Sequence, residues 1–156
     1  VNGKSEIGVV YAPAENNIYI GEKGGSSYKN GEKINISKND SLSSAKLFIH
    51  GGRTQKTVDT HEKIRSICEN ENPDIKIEKV KGCASLDICR VADGIYDGFI
   101  HRGLGAWDVA AGIIILESAG GVVCNLNGTE KNLFVPGIIA TNNELKDKLV
   151  AITKDC

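Results

Sequence analysis

The first 36 residues alternate between apolar and polar positions over short stretches, which is the pattern of β-strands. Turn-forming residues separate these stretches, and the clearest turn signal is Asn30-Gly31. Asn-Gly suits a type I′ turn, because both central residues of that turn need positive φ. The pattern therefore predicts antiparallel strands at residues 6–11, 18–20, 26–28 and 33–36.

From residue 46 onward, short apolar runs alternate with longer segments in which apolar residues recur every three to four positions. The runs predict strands at residues 46–49, 75–80, 96–100, 122–123 and 138–140. The longer segments predict helices at residues 54–70, 84–92 and 106–119, and a last helix whose N-cap is Thr141 or Asn142. Such alternation is typical of an α/β domain with a parallel or mixed sheet flanked by helices.

A polar stretch at residues 37–44 separates these two patterns. We therefore expect residues 1–40 to supply antiparallel strands that complete an N-terminal sheet. Residues 41–156 then form a C-terminal α/β subdomain. The expected class is α/β, or α+β when both units are taken together.

Composition excludes several classes of protein. The chain has 156 residues, a formal net charge of -1, 40% hydrophobic and 25% charged residues, as in ordinary globular domains. Its balanced charge gives no overall positive field for nucleic acid or an anionic membrane surface. The longest apolar run, residues 113–116, is far shorter than the ~18 residues of a membrane span. Five cysteines without a CxxC pair favour a reducing compartment, the cytoplasm.

Candidate chemistry lies where a predicted strand is followed by glycine and a predicted helix. This arrangement occurs at residues 50–54, 80–87 and 100–108. In open α/β sheets ligands bind beyond the carboxyl ends of strands, where helix N-termini offer free N–H groups to an anion. Junctions that meet at one sheet edge would form a crevice for an anionic small molecule.

Asp108 lies in the first turn of the third predicted helix. Its carboxylate can complement the helix dipole, or it can hold a divalent cation. The small residues at 110–112 predict close packing of this helix, which would fix Asp108 in place but also serves packing alone. At the second junction, Gly82 and Ala84 are small enough to let a ligand approach the backbone.

Cysteine and histidine give weaker signals. We expect Cys83 to be a buried structural thiol rather than a reactive thiolate, since no histidine is near it in sequence. His61 lies mid-helix beside a glutamate and is expected to be solvated, whereas His50 and His101 end strands near the crevice. Motifs of serine hydrolases, zinc proteases and P-loop enzymes are absent from the sequence.

Two segments, WDVAAG at residues 107–112 and ESAGG at 117–121, resemble the C-terminal signature of the inositol monophosphatase superfamily of magnesium-dependent phosphomonoesterases. Further blocks resemble that family in the same order: GVVYAP at 8–13, EKGG at 22–25, NGEKINIS at 30–37 and GCASLD at 82–87. The resemblance runs nearly the whole length of the chain and implies an inositol-monophosphatase-like fold.

The resemblance also implies a function. A phosphatase of this kind uses Mg²⁺ to activate water for attack on a small phosphate monoester, such as inositol monophosphate or fructose 1,6-bisphosphate. Asp108 matches the metal-binding aspartate, and the backbone of Gly82, Cys83 and Ala84 matches a substrate-contacting turn. Family members are often dimers, so the resemblance allows a homodimer.

Two departures from the family pattern matter. Inositol-selective members carry Glu seven positions before the signature aspartate, where this chain has His101, followed by Arg102. We expect this basic pair to bind the substrate, and its donors favour a substrate that carries a second phosphate.

The family's Glu-Glu and Asp-Pro-Ile-Asp-Gly-Thr motifs are absent from the chain, which has no Met and opens on Val1. We therefore expect the C-terminal part of a longer enzyme, inactive without its N-terminal half.

Two other functions stay open from the sequence. The chain can be a non-catalytic module that binds an anion or a partner chain. It can also be an unrelated α/β small-molecule binder in which the glycine junctions serve packing only.

Overall fold

The computed structural model describes residues 5–49, 54–78, 82–132 and 137–156. Within these residues the strands are β1 (Ile7–Ala12), β2 (Asn17–Glu22), β3 (Ser27–Lys29), β4 (Glu32–Ile34), β5 (Lys46–Ile49), β6 (Lys76–Glu78), β7 (Gly98–His101), β8 (Val122–Asn125) and β9 (Ile138–Thr141). The helices are α1 (Gln55–Glu71), α2 (Ala84–Ala92), α3 (Ala106–Ser118) and α4 (Asn143–Thr153). The predicted class, an antiparallel segment followed by an α/β layer with a mixed sheet, is confirmed.

The first sheet is antiparallel, with strand order β1-β2-β3-β4. Its last hairpin turns at Asn30 and Gly31, whose φ angles of 51° and 85° are those of the predicted type I′ turn. The second sheet has the order β6-β5-β7-β9-β8 and is mixed. Strand β5 is parallel to β6 and β7, whereas β9 is antiparallel to β7 and β8.

Strand β7 begins at Gly98, two residues later than predicted. The intervening Asp97 serves as an anchor: its carboxylate accepts hydrogen bonds from the Ser37 hydroxyl at 2.5 Å and the Lys46 amide at 2.8 Å. Asn142, the N-cap of α4, donates to the carbonyl groups of Ser37 and Asn39. The polar segment at 37–44 is thereby fixed against the second sheet.

Helices α2 and α3 lie between the two sheets, and α1 and α4 cover the other face of the second sheet. Side chains alternate accordingly, with Phe48 and Phe99 in the inner core and Leu47 and Ile100 in the outer one. The inner core contains residues from both sheets, which therefore share one hydrophobic core. The predicted division of the chain into two units near residue 40 stays a prediction. No helix in the described ranges is long and apolar enough to cross a membrane.

Glycines bring α3 unusually close to the first sheet. A Cβ atom added at Gly8 would lie 2.3 Å from the carbonyl oxygen of Ala111, and one added at Gly21 would lie 2.6 Å from the Cα atom of Ile115. Hence the inner face of β1 and β2 tolerates only hydrogen at these positions. The buried inner positions next to them include Val10 and Tyr19.

The outer face of the first sheet is apolar and exposed. Its large side chains are Ile7, Val9, Tyr11, Ile18, Ile20 and Tyr28, which we call the outer sheet face. Ile7 is 65% exposed and Tyr11 is 60% exposed. Strands that are apolar on both faces are typical of a sheet with a layer on each side.

Candidate active site

The N-terminal turns of α2 and α3 lie side by side. The Ser85 hydroxyl in the first turn of α2 donates a 2.7 Å hydrogen bond to the carbonyl oxygen of Asp108 in α3. Gly112 makes this close packing possible, since a Cβ atom there would lie 2.9 Å from the Ser85 carbonyl oxygen. The helix starts of the second and third predicted junctions therefore lie against each other. Residues 50–53 of the first junction, including His50, lie outside the described residues.

Asp108 caps the helix on which it lies. Its Oδ2 atom accepts a 2.9 Å hydrogen bond from the backbone N–H of Gly105, the N-cap residue of α3. This is the dipole and capping role that the sequence left open. No hydrogen bond to Oδ1 occurs within the described part of the chain, and the residue is half-buried. Oδ2 is therefore held in place by the helix start, and Oδ1 accepts no hydrogen bond from a described residue.

The start of α2 has no side-chain cap. Cys83 is the N-cap residue, with extended φ and ψ of -124° and 108°, and its side chain makes no capping hydrogen bond. Beside it, a Cβ atom at Gly82 would meet no atom of the described residues within 4 Å. The first-turn amide groups of α2 therefore receive no capping hydrogen bond from the Cys83 side chain, which leaves them available to an anion.

Cys83 itself is exposed, so the predicted buried thiol is wrong. The residue precedes the first helical turn and lies at the mouth of the junction instead of against the sheet. The buried thiols are those of Cys68, Cys89 and Cys124. Burial raises the pKa of the Cys68 thiol to about 12, which keeps it protonated at neutral pH.

The side chains of His101 and Arg102, at the end of β7, have different surroundings. The His101 side chain is buried, with its ring stacked on Phe99 at 5.9 Å between centroids. Arg102 is half-buried and its Nη1 atom donates a 3.1 Å hydrogen bond to the carbonyl oxygen of Cys156. Its guanidinium lines a cavity of about 320 Å³ with Lys154, at the C-terminal end of α4. Contact of either residue with substrate stays a prediction.

His61 is buried, so the prediction that it is solvated is wrong. It is 3% exposed, and its ring meets the ring of His101 edge-on with 5.2 Å between centroids. Helical spacing in the sequence already contained the signal: Ile64 and Cys68, three and seven positions further on, are buried on the same face of α1. The glutamate next to His61 in the sequence is a poorer guide to the burial of His61 than this periodicity.

Trp107 is the most exposed large apolar side chain beside the site, at 85%. Its ring lies over Gly105, where a Cβ atom would come within 2.5 Å of the ring carbons. Glycine at the N-cap of α3 therefore allows the indole to fold back over the helix start. The indole gives the site an apolar rim next to Asp108.

The described residues could supply only some of the ligands that a cation needs. Nowhere in those ranges do three His, Cys, Asp or Glu side chains come together as a metal-binding group. Mg²⁺ is commonly held by one or two carboxylates, with water and phosphate oxygens completing its shell. The Oδ1 atom of Asp108 fits one such ligand, and the described residues form no larger group of metal ligands around it.

Asp87, in the first turn of α2, is a buried carboxylate whose Oδ2 atom has no hydrogen-bond partner among the described residues. Burial raises its pKa to about 6, against the opposing effect of Arg90, whose Nη1 atom lies 3.3 Å from Oδ1. Because the folded pKa lies above the ordinary value of 3.8, the fold favours the protonated form. The contribution of Asp87 to stability is therefore greatest below pH ~4 and is lost as pH rises through about 6.

We expect Asp87→Asn to stabilise the chain at pH 7.5 by about 1 kcal/mol, because the neutral amide keeps an acceptor for Arg90 without a buried charge. Urea unfolding at pH 4.5 and pH 7.5 measures this, and the variant's advantage should shrink at the lower pH. Asp147→Asn, on the exposed side of α4, is the control and should change little. A destabilised Asp87→Asn at pH 7.5 would contradict the assignment.

Comparison with known proteins gives one consistent result. The model of the inositol monophosphatase family matches residues 1–156. The chain is 34% identical over 154 residues to a fructose-1,6-bisphosphatase/inositol-1-monophosphatase of Thermotoga maritima, covering 99% of this chain and 57% of that protein. It is 32% identical over 156 residues to human inositol monophosphatase 1, covering 97% of this chain and 54% of that protein.

A solved structure agrees with these matches. The structure of an IMPase from Thermotoga maritima superimposes with a TM-score of 0.87 at 33% identity, over 99% of this chain and 57% of that one. The chain thus spans little more than half the length of the curated relatives it matches.

Proposed function

Because the chain belongs to the inositol monophosphatase family, we propose that it supplies the phosphate-binding part of a phosphatase for small phosphate monoesters. The observation that carries this proposal is the pair of helix N-termini held together by the hydrogen bond from Ser85 to Asp108. The first turn of α2, which the Cys83 side chain does not cap, lies against the first turn of α3, which carries Asp108. An anion and a divalent cation can bind together in such a place.

The residues of this chain have separable tasks in the proposed reaction. The backbone of Gly82, Cys83 and Ala84 binds phosphate oxygens, helped by the positive end of the α2 dipole. Asp108 offers Oδ1 to Mg²⁺ while its Oδ2 remains bonded to the N-cap of α3. When bound, Mg²⁺ lowers the pKa of a coordinated water and neutralises charge on the phosphate.

The proposed substrate is inositol monophosphate or a sugar phosphate such as fructose 1,6-bisphosphate. One relative is named for both activities, and the human relative is named for inositol monophosphate. A substrate with a second anionic group, bound by His101 and Arg102, stays a prediction, because the His101 ring is buried and the Arg102 Nη1 atom donates to the carbonyl oxygen of Cys156.

Polypeptide beyond these 156 residues completes the proposed enzyme, so the chain is inactive by itself. Two features support this: the described residues contain no group of three or more metal-ligating side chains, and the outer sheet face is apolar and exposed. The absent N-terminal half is the proposed cover of that face. We place the enzyme in the cytoplasm, where its five thiols stay reduced, and a homodimer stays a prediction.

Titration of the ¹⁵N-labelled chain with inorganic phosphate, with and without Mg²⁺, tests the proposal. We expect amide shifts confined to residues 82–86 and 105–108, and a response to Mg²⁺ that Asp108→Asn removes. Glu144→Gln is the matched control, because Glu144 is also an acidic residue in a first helical turn. Shifts centred elsewhere, or an unchanged response in Asp108→Asn, would contradict the site.

A second candidate is a non-catalytic module that binds an anion or a partner chain. The outer sheet face favours it, because that face is suited to a protein contact whether or not a reaction follows. The chimera described in the Discussion separates the two functions: a module binds its partner without producing phosphate.

A further inference from the structure

Helix α1 is connected to the loop that leads into α3 through His61. The Nε2 atom of His61 accepts a 3.0 Å hydrogen bond from the backbone N–H of Arg102. On the other side of the ring, Nδ1 contacts the carbonyl oxygen of Thr57, one turn earlier in α1. Both ring nitrogens are therefore engaged with backbone groups inside the protein.

These two contacts fix the protonation state of His61. A backbone N–H can only donate, so Nε2 must present a lone pair to Arg102. A carbonyl oxygen can only accept, so the proton must lie on Nδ1. The ring is thus neutral and in a single tautomer. An apolar residue of the same size cannot make these two hydrogen bonds.

A second contact from α1 reaches the same loop. Gly103 has φ of +96°, and a Cβ atom built there would lie 3.2 Å from the methyl carbon of Thr57. Thr57 and His61 are four residues apart and lie one above the other on the helix. The same face of α1 therefore bonds to Arg102 and lies close to Gly103, the two residues that follow β7.

The loop held in this way carries the candidate site. It runs from His101, whose ring His61 meets edge-on at 5.2 Å, to Gly105, which donates to Asp108. Ser85 fixes the same turn of α3 from the side of α2. The site therefore has one support from α2, already described, and another from α1.

We propose that His61 is a positioning residue of the candidate active site, an inference that rests on the proposed function. Its hydrogen bond to Arg102 sets the path of the chain from β7 into α3, and its ring sets the orientation of His101. His61 touches neither phosphate nor cation in this arrangement. It acts through the loop, by placing Asp108 relative to the start of α2.

Amide hydrogen exchange and NMR of the full chain test the proposal with three variants. His61→Leu fills the space without an acceptor, and His61→Gln restores an acceptor oxygen. Ile64→Val is the matched control, because Ile64 is buried on the same face of α1, one turn further along. The probes are the exchange rate of the Arg102 amide, the His101 ring shifts, and the response of amides 105–108 to Mg²⁺ with inorganic phosphate.

We expect His61→Leu to speed exchange at Arg102 about tenfold, the effect of one lost hydrogen bond, and to shift the His101 ring signals. Its Mg²⁺ and phosphate affinity should fall about three- to tenfold. His61→Gln should recover most of the exchange protection, and Ile64→Val should leave both local probes unchanged even where it lowers global stability.

Each other result overturns the proposal in its own way. Unchanged Arg102 exchange in His61→Leu would show that His61 does not hold the loop. Faster exchange with unaltered Mg²⁺ and phosphate binding would make His61 a packing residue without a positioning role. If the unmodified chain does not respond to Mg²⁺ and phosphate at all, the proposed function fails. The exchange data would then still report separately on the loop.

Discussion

We expect Asp108→Asn to lower kcat/KM for inositol 1-phosphate and fructose 1,6-bisphosphate about a thousandfold in a phosphatase completed from this chain. The assay protein is a chimera that joins the chain to the part of the Thermotoga maritima relative without a counterpart here. Loss of a charged metal ligand removes transition-state stabilisation of about 4 kcal/mol, which is three factors of ten in rate. Release of inorganic phosphate in the presence of Mg²⁺ measures the effect.

The same assay contains its own controls. Glu144→Gln changes an acidic first-turn residue outside the site and should leave the rate within about twofold of the parent, as surface substitutions usually do. The 156-residue chain without the added part should release no phosphate. Hydrolysis by the chain alone that persists in Asp108→Asn would overturn both the site and the need for further polypeptide.

The second large effect concerns stability, and it comes from the glycines between the first sheet and α3. Gly8→Ala should lower the free energy of unfolding by ~3 kcal/mol, because overpacked cores lose about this much. The new Cβ atom would lie 2.3 Å from a helix carbonyl oxygen, so relief requires the whole of α3 to move away from β1. Gly21→Ala should cost about as much, since its obstacle is the backbone of Ile115.

Urea unfolding followed by circular dichroism measures both changes. Gly82→Ala is the matched control, because a Cβ atom there meets no atom of the described residues within 4 Å. This variant should keep the stability of the parent or gain a few tenths of a kcal/mol from a stiffer unfolded chain. If Gly8→Ala were as stable as Gly82→Ala, the close approach of α3 to the sheet would be disproved.

Local chemistry made part of this fold predictable from the sequence. The Asn30-Gly31 turn has its predicted type, and α2 has its predicted bounds, Ala84–Ala92. In both cases the determining forces act within a few residues. The small residues at 110–112 also predicted close packing of α3, and Gly112 lies against Ser85 of α2.

Tertiary contacts account for what the sequence did not show. Whether His61 is solvated depends on Arg102, which lies 41 residues away in the sequence. The backbone N–H of Arg102 donates the hydrogen bond that the His61 ring accepts. The direction of the Arg102 side chain depends on the carbonyl group of Cys156 at the end of α4. Cys83 is exposed because it precedes α2 as its N-cap residue and does not lie on the buried face of that helix. None of these partners is visible in the neighbouring sequence.

Trp107 has a spectroscopic consequence. It is the chain's single tryptophan, and at 85% exposure its indole already has a water environment in the folded state. Unfolding therefore changes its emission maximum little, and fluorescence is a poor reporter of global denaturation for this chain. A polypeptide or ligand that covers the rim of the site removes that water, so a shift of emission to shorter wavelength reports on the closure of the site alone.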